Sequence, residues 1–287
     1  MDGNDRSDQD IERVAASVGI PPCPEILIEL RAEIGRDDPD FAKIERLVVK
    51  DVGLSAALIK TVNSPFYGLS NKIGTVRHAI SALGLNTLSR TVTGLVLRNS
   101  FNGAQQINME RFWDTSTKIA ITASCLAKSL PGINRDDAYT FGLFQNCGIP
   151  VLMQRFPEYK ETLGRANNTE SRNFTDLEDE AHSTNHATVG YLLTKSWHLP
   201  EKLSTAILYH HHYHALLDKS LELSTESRDL VSVGLLADHI VAHHSKMNFS
   251  LEWYKGGAAV LAHFGLSQPE FEELRGDIIN LLEQAST

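Results

Sequence analysis

The sequence predicts an all-α protein, and three observations support this fold class. Helix signals run through the 287 residues, whereas strand signals are scarce. Apolar residues recur at the three- and four-residue spacing of a buried helix face, most clearly between Leu230 and Val241. Capping boxes at Thr175–Glu178 and Ser267–Glu270 mark two helix starts. Together these patterns indicate a multi-helix fold.

The amino-terminal part of the chain predicts several short helices and one long helix. Residues 1–9 form a charged tail, and a short helix from Ile11 to Val18 ends at Gly19. Further helices are expected after Pro24, after Asp40, around Leu54–Val62 and, as the longest, from Thr75 to Phe101. Gly84 within the long helix predicts a bend or a close contact between helices.

A polar segment, Asn102–Gln106, predicts the boundary between two helical lobes. After it, Asn108 is expected to cap one helix, and Asp136 or Asp137 to open the next. The predicted organisation is a tail and first helix at 1–19, an amino-terminal lobe at 20–101 and a carboxyl-terminal lobe at 107–287. We expect the two lobes to pack as one domain over residues 20–245.

Composition and charge restrict the classes of function. The formal net charge of −9 disfavours a nucleic-acid binder, which needs a basic footprint. Cys23, Cys125 and Cys147 have neither disulfide nor metal-site spacing. The acidic, polar amino terminus is unlike a signal peptide, and no apolar run approaches the ~18 residues of a membrane span. We expect a cytoplasmic protein without membrane insertion.

The segment Gly142–Gly148 and a downstream polar set carry the main functional signal. The downstream set consists of His186, His210, His211 and Asp238. A hydrolytic metal site needs imidazoles and carboxylates, because these groups bind divalent cations at neutral pH. Gln145 and Asn146 replace the expected His-Asp pair, and their neutral amides neither anchor nor bridge metal ions. The pattern indicates the shell of a metal-dependent phosphohydrolase that has lost its chemistry.

These motifs, taken in order, resemble the HDOD family of bacterial signalling proteins, relatives of the HD and HD-GYP phosphohydrolases. The resemblance covers about residues 20–245. It rests on Ile20–Glu25, Asn63–Gly68, Arg77–Gly84, Phe112-Trp113, Gly142–Gly148, His186–Gly190, Trp197–Pro200 and Ala206–His211. It implies an amino-terminal helical lobe packed on a degenerate HD-like lobe.

Carried over residue by residue, the resemblance implies a degenerate metal centre. The first ligand histidine of catalytic relatives corresponds to Thr115, and their His-Asp pair to Gln145 and Asn146. Their later ligands correspond to the retained His186, His210, His211 and Asp238. The HD-GYP extension is absent, since His212-Tyr213-His214 follows the histidine pair. We therefore expect no catalytic residue, no cofactor and no metal, with His186, His210 and His211 as a residual set for one ion at most.

The histidines also have a purely structural interpretation. On a helix His210, His211 and His212 would point about 100° apart, so they would not all converge on one ion. We expect His186, His210, His211 and Asp238 to persist as a hydrogen-bonded network that the amides of Gln145 and Asn146 complete. His182 and His186 are expected to share a helix face, as are His239 and His243, the latter pair at the surface.

Two other groups have alternative interpretations. Asn63, Phe66 and Tyr67 form either an interaction loop or a plug whose aromatic rings fill the joint between the lobes. The cationic residues Arg77, His78, Arg90 and Arg98 form either an anion patch or ordinary helix caps and surface ion pairs. Cys147, Trp113 and Trp197 are expected to be core residues.

The resemblance implies a non-catalytic module that acts in bacterial signal transduction by protein–protein interaction. The implied partners are a sensor kinase, a response regulator or a cyclic-di-GMP enzyme, and the oligomeric state stays open. Two alternatives remain. One is a residual metal-dependent phosphohydrolase, and the other is a nucleotide-sensing module that binds without cleaving.

Overall fold

A computed structural model describes residues 17–64, 67–101, 107–218, 221, 223–245 and 251–284. Within these ranges the regular elements are α-helices and a 3₁₀ turn, and no strand occurs, so the all-α prediction is confirmed. The described residues divide into two compact units. One unit contains residues from 23–103 together with those after 279, and the other contains residues up to 22 and from 104–279. The expected linker, Asn102–Gln106, lies outside the described residues.

The unit that contains residues 23–103 begins with four helices. They are α1 (Glu25–Ile34), α2 (Phe41–Val49), α3 (Val52–Val62) and α4 (Val76–Ser100). Asp40 caps α2 by accepting hydrogen bonds from the backbone N–H of Ala42 and Lys43, at 2.8 and 3.0 Å. Fully buried aliphatic side chains from α1, α2 and α3 form its core, among them Leu30, Ile44 and Leu58.

Gly84 divides α4 into two helical segments. Its φ of 71° and ψ of 167° lie in a region that only glycine adopts readily. A Cβ atom built at Gly84 would meet no atom within 4 Å. The expected bend is therefore confirmed, and its cause is backbone conformation rather than a close contact between helices.

The other unit contains the helices that form the functional site. They are α5 (Met109–Ser129), α6 (Arg135–Phe144), α7 (Gly148–Arg155), α8 (Tyr159–Ala166), α9 (Phe174–His182), α10 (His186–Ser196), α11 (Glu201–Tyr209), a 3₁₀ turn (Tyr213–Leu216), α12 (Thr225–His244) and α13 (Leu251–Phe264). The last helix, α14 (Gln268–Gln284), belongs to this unit up to residue 279. Trp113, Trp197 and Cys147 are buried as expected. None of the helices in the described ranges combines the length and apolar content that a bilayer crossing requires.

Most of the expected helix starts are correct, and two need correction. Asn108 caps α5, and Ser267 and Glu270 form the expected capping box. The cap of α6 is Asn134, so Asp136 and Asp137 lie in its first turn. The capping box at Thr175–Glu178 is wrong. Asn173 precedes α9, and the carboxylate of Glu178 is fully buried and hydrogen-bonded to His186.

Two expectations about histidines are also corrected. His182 and His186 lie on different helices, because Ser183 ends α9 in the left-handed conformation with φ of 57°. His239 is half-buried rather than at the surface, and its ring stacks on Trp253 at 4.3 Å between centroids.

Candidate functional site

Three histidines meet where the start of α10 lies close to the residues that follow the end of α11. His186 is the first residue of α10, which Asn185 caps through the backbone N–H of Thr188. Gly148, at the start of α7, packs against this terminus: a Cβ atom there would lie 2.1 Å from the carbonyl oxygen of His186. Helix α11 ends at Tyr209, so His210 and His211 follow it in a turn.

This turn brings two of the neighbouring histidines, His210 and His211, to His186, and these three form the group whose ligand atoms lie within 4.8 Å of one another. The Nε2 atom of His186 lies 3.1 Å from Nε2 of His210 and 3.1 Å from Nε2 of His211. His186 is fully buried, and the other two histidines are each 7% exposed. The helical spacing of about 100° does not apply to residues beyond the end of α11. The histidine cluster is defined below as His186, His210 and His211.

The Nδ1 atom of every ring in the histidine cluster has an oxygen partner. These partners are Glu178 Oε2 for His186 at 2.7 Å, the Ile207 carbonyl for His210 at 2.6 Å and Glu252 Oε2 for His211 at 2.7 Å. A carbonyl or an ionised carboxylate only accepts hydrogen bonds, so each Nδ1 is assigned as the protonated donor. The Nε2 atom is then the ring nitrogen that remains to meet a ligand, and Nε2 of His186 faces those of His210 and His211.

Two carboxylates orient this cluster. Glu178 is fully buried and also accepts hydrogen bonds from the Tyr159 hydroxyl and from the backbone N–H of His186. Glu252, on α13, accepts from the Tyr213 hydroxyl at 2.8 Å and from Lys255 Nζ at 2.7 Å. Carboxylates that accept from Nδ1 fix both the tautomer and the orientation of an imidazole.

The burial and charge of these groups shift their pKa values. Burial alone would raise the pKa of Glu178, but the charge and hydrogen bonds of His186 and the bond from Tyr159 lower it. Burial likewise opposes the lowering of the Glu252 pKa, which His211 and Lys255 cause. Burial, followed by the neighbouring His211 and His186, lowers the pKa of His210 well below its ordinary value. His210 is therefore neutral near pH 7 and keeps its lone pair.

A cavity of about 570 Å³ lies against the histidine cluster. Six of the seven residues expected at the degenerate HD-like site line it: Thr115, Gln145, Asn146, His210, His211 and Asp238. His186 contacts His210 and His211 from the buried side. Arg111, Lys160 and Glu252 also belong to the lining. The fold thus gathers residues that are more than 120 positions apart in the chain.

The ring nitrogens of the cluster are engaged by Glu178, Ile207, Glu252 and one another. The amides of Gln145 and Asn146, which were expected to complete the network, do not bond to these nitrogens. Sequence reasoning missed Glu178 because its spacing from Thr175 matches a helix cap. It missed Glu252 because no motif marks this residue, which lies 41 positions from His211 in the chain.

The remaining candidate residues lie in the other unit. Asn63 closes a loop through Ile73, accepting from its N–H and donating to its carbonyl, both at 2.7 Å. The Tyr67 hydroxyl lies 2.9 Å from the Thr91 hydroxyl, and Phe66 lies outside the described residues. Arg77 pairs with Glu45 at 2.8 Å, and the N–H of His78 donates to Thr75. Arg90 and Arg98 lie further along α4.

The two halves of the cavity wall differ in what they can bind. The histidine cluster presents three nitrogen donors that all lie within 4.8 Å of one another. On the other side, Thr115, Gln145 and Asn146 offer a hydroxyl and two neutral amides next to Asp238. A two-metal centre needs a carboxylate that bridges both ions, and Asn146 cannot supply one. The residues present do not fit the two-ion centre of catalytic HD-type enzymes.

Comparison with known proteins identifies the family. The HDOD domain profile matches residues 20–213. The chain belongs to the HDOD family. This HDOD protein is 27% identical over 209 residues to an uncharacterised protein of Treponema pallidum (strain Nichols). That alignment covers 69% of this chain but 40% of the relative, so the chain spans less than half of the relative's length.

Solved structures share the fold of this HDOD protein. A provisionally named phosphohydrolase from Shewanella amazonensis SB2B has a TM-score of 0.71 and 20% identity, covering 95% of both chains. A provisionally named signal-transduction protein from Marinobacter aquaeolei VT8 has a TM-score of 0.68 and 19% identity, covering 95% of this chain and 60% of the other. At these identities the likeness extends to the fold alone.

Proposed function

We propose that this HDOD protein is a cytoplasmic signal-transduction module that binds partner proteins and does not hydrolyse phosphodiesters. The observation that carries the proposal is the cavity wall formed by Thr115, Gln145 and Asn146 beside Asp238. Two-metal hydrolysis requires two ions held by a bridging carboxylate that also positions the attacking water. The amide of Asn146 can neither bridge two ions nor position the attacking water. The cavity is therefore suited to binding rather than to cleavage.

The exposed apolar side chains of the unit that contains residues 23–103 support a role in partner binding. Ile28 on α1, Phe41 and Val49 on α2, and Val52 on α3 are between 49% and 81% exposed. Contiguous exposed apolar surface marks sites of protein–protein contact, so these side chains are the candidates for such a site. The proposed partner is a signalling protein: a sensor kinase, a response regulator or a cyclic-di-GMP enzyme.

A hydrolysis assay tests the non-catalytic part of this proposal. Purified protein loaded with Mn²⁺, Fe²⁺ or Zn²⁺ is incubated with cyclic dinucleotides and with a chromogenic phosphodiester, beside an active HD-GYP enzyme as positive control. We expect turnover equal to that of a blank without enzyme. Turnover above the blank that is lost in His210→Gln would contradict the proposal and favour the phosphohydrolase alternative.

Affinity capture from the native cell tests the partner-binding part. The bait is the intact chain, and the test variant is Phe41→Glu combined with Val52→Glu. The matched control is Leu217→Glu, which alters a 56% exposed apolar residue in the unit that contains the cavity. We expect one signalling protein to be captured by the wild type and the control but not by the test variant. Equal capture by all three would contradict a docking surface at α2 and α3.

A second candidate function, binding of a small ligand, is favoured by the cavity itself. A volume of about 570 Å³ lies in the range of ligand pockets, and Arg111 and Lys160 provide positive charge at its lining. A nucleotide present at a hundredfold its dissociation constant should stabilise the fold by ~2.7 kcal/mol. Thermal unfolding with a nucleotide panel detects this shift, and Thr115→Phe, which fills the cavity, should abolish it.

A further inference from the structure

We propose that the histidine cluster is a mononuclear site for a borderline divalent transition metal such as Zn²⁺, oriented by Glu178 and Glu252. This inference goes beyond the proposed function and does not depend on it. A single ion held by three imidazoles is compatible with a binding module as well as with a residual enzyme.

The first step is the convergence of the Nε2 atoms. Every Nδ1 of the cluster faces an oxygen, and Nε2 of His186 lies 3.1 Å from Nε2 of each of the other two rings. The remaining nitrogens of the three rings therefore meet in one small volume, where a single metal ion can accept a lone pair from each of them.

The second step is the spacing of the donors. Two imidazole nitrogens that bind one zinc at ~2.0–2.1 Å along tetrahedral directions lie roughly 3.3 Å apart. The observed distances of 3.1 Å are close to this value, and all three nitrogens lie within 4.8 Å of one another. The cluster therefore has the spacing of ligands that share one ion.

The third step is the chemistry of the donors. Imidazole nitrogen suits Zn²⁺, Ni²⁺, Co²⁺ and Cu²⁺, whereas Mg²⁺ and Ca²⁺ prefer oxygen ligands. Glu178 and Glu252 accept from the far nitrogens of His186 and His211, which increases the basicity of these ligands and offsets part of the charge of a dication. Tyr159, Tyr213 and Lys255 hold the two carboxylates in place.

The fourth step concerns access to the site. His210 and His211 line the cavity, so an ion bound by them faces the cavity rather than a closed core. Three protein ligands leave one tetrahedral position for water or for an anionic group of a ligand. The cavity therefore gives the ion a route of entry and a place for an exogenous ligand.

Metal titration of the full chain tests this proposal without any activity readout. Protein stripped with a chelator is titrated with Zn²⁺ in a calorimeter and with Co²⁺ in a spectrophotometer, and its metal content is measured after gel filtration. We expect one ion per chain, with an intense visible Co²⁺ absorption of tetrahedral type. His210→Gln and His211→Gln should lower the affinity at least a hundredfold. His263→Gln, which removes a histidine paired with Asp229 outside the cluster, should leave it unchanged.

A variant of Glu178, which orients His186, keeps the test decisive if the histidine variants fail to fold. Glu178→Gln preserves size and one acceptor oxygen, and we expect a 10- to 100-fold lower affinity with the stoichiometry still one. X-ray absorption at the zinc edge of the wild type should show three imidazole nitrogens. Less than 0.1 ion bound per chain, or fewer than two imidazoles around the ion, would overturn the proposal. Binding that is unaffected in folded His210→Gln and His211→Gln would overturn it equally.

Discussion

At the scale of single residues, Glu178 links the core of the unit to the histidine cluster. Its carboxylate is fully buried and accepts hydrogen bonds from Tyr159 and from both the ring and the backbone of His186. A buried carboxylate is tolerated only when its oxygens are satisfied in this way. Removing it would leave buried donors on two other helices without a partner.

We therefore predict that Glu178→Ala lowers the free energy of unfolding by about 2–4 kcal/mol, because buried donors lose their acceptor. Glu180→Ala is the matched control on the same helix. Glu180 is 60% exposed and pairs with Arg172 at the surface, so its loss should have a much smaller effect on stability. Urea denaturation measures both values. Equal effects of the two substitutions would contradict the role assigned to Glu178.

His239 provides a residue-scale prediction about pH. Burial, followed by the charges of Arg275 and His243, lowers the pKa of His239 to about 4. The His239 ring takes up a proton at a higher pH in the unfolded chain than in the folded chain. Its contribution to the free energy of unfolding is therefore fully present above the unfolded pKa. It is lost as the pH falls toward the folded value.

The comparison variant is His239→Phe, which keeps a ring against Trp253 but does not titrate. We predict that the wild type loses stability relative to this variant as the pH falls from 6.5 to about 4, the window between the two pKa values. Chemical denaturation at several pH values measures the difference. Parallel stability curves for the two proteins would show that His239 titrates normally in the fold.

The sequence predicts individual site residues only where a motif marks them. The histidines and the replacements at Gln145 and Asn146 stand in recognisable motifs, and the fold places them at one cavity. Glu178 has the spacing of a local helix cap, but its tertiary partners determine its conformation. Glu252 has no sequence signal, because its role arises only when α13 reaches Tyr213 and His211. Local patterns do not contain such long-range contacts.

At the scale of elements, the close approach of α7 to α10 positions the site. Gly148 permits this approach, since a Cβ atom there would lie 2.1 Å from the His186 carbonyl oxygen. This obstacle is backbone, which cannot move aside as a flexible side chain can. Gly148 therefore allows α7 to pack against the start of α10, from which His186 projects.

We predict that Gly148→Ala destabilises the fold by about 3 kcal/mol or more, the upper part of the range for overpacking. Gly164→Ala is the control: Gly164 lies within α8 and has no atom within 4 Å of a built Cβ. That substitution should stabilise the helix by roughly 0.5–1 kcal/mol. Thermal and chemical unfolding of both variants measure the difference. A neutral Gly148→Ala would contradict the close helix contact.

Helix boundaries show why part of the element-level prediction was wrong. Most helix starts follow caps that can be recognised in the sequence, such as Asp40 and Asn108. The end of α11 at Tyr209 has no glycine or proline to mark it. The turn at His210 and His211 is therefore not apparent from local signals, although it is what lets the two rings converge on His186.

At the scale of the whole molecule, the described chain consists of helices in two compact units. The fold class follows from helix periodicity, and the family follows from motifs that occur in a fixed order. Both signals remain although some site residues differ from those of catalytic relatives. Three histidines meet on one side of the cavity, and the amides of Gln145 and Asn146 lie on the other, which distinguishes it from a two-ion centre. We propose that the cavity holds a site for one ion and none for a second.

Anomalous diffraction from crystals grown with Zn²⁺ tests that claim most directly. Data collected on both sides of the zinc absorption edge locate every bound ion without reference to activity. We predict one anomalous peak per chain, within bonding distance of the Nε2 atoms of His186, His210 and His211, and none beside Asp238 and Asn146. Two peaks about 3.5–4 Å apart, the spacing of a two-metal centre, or no peak at the histidines, would contradict the account.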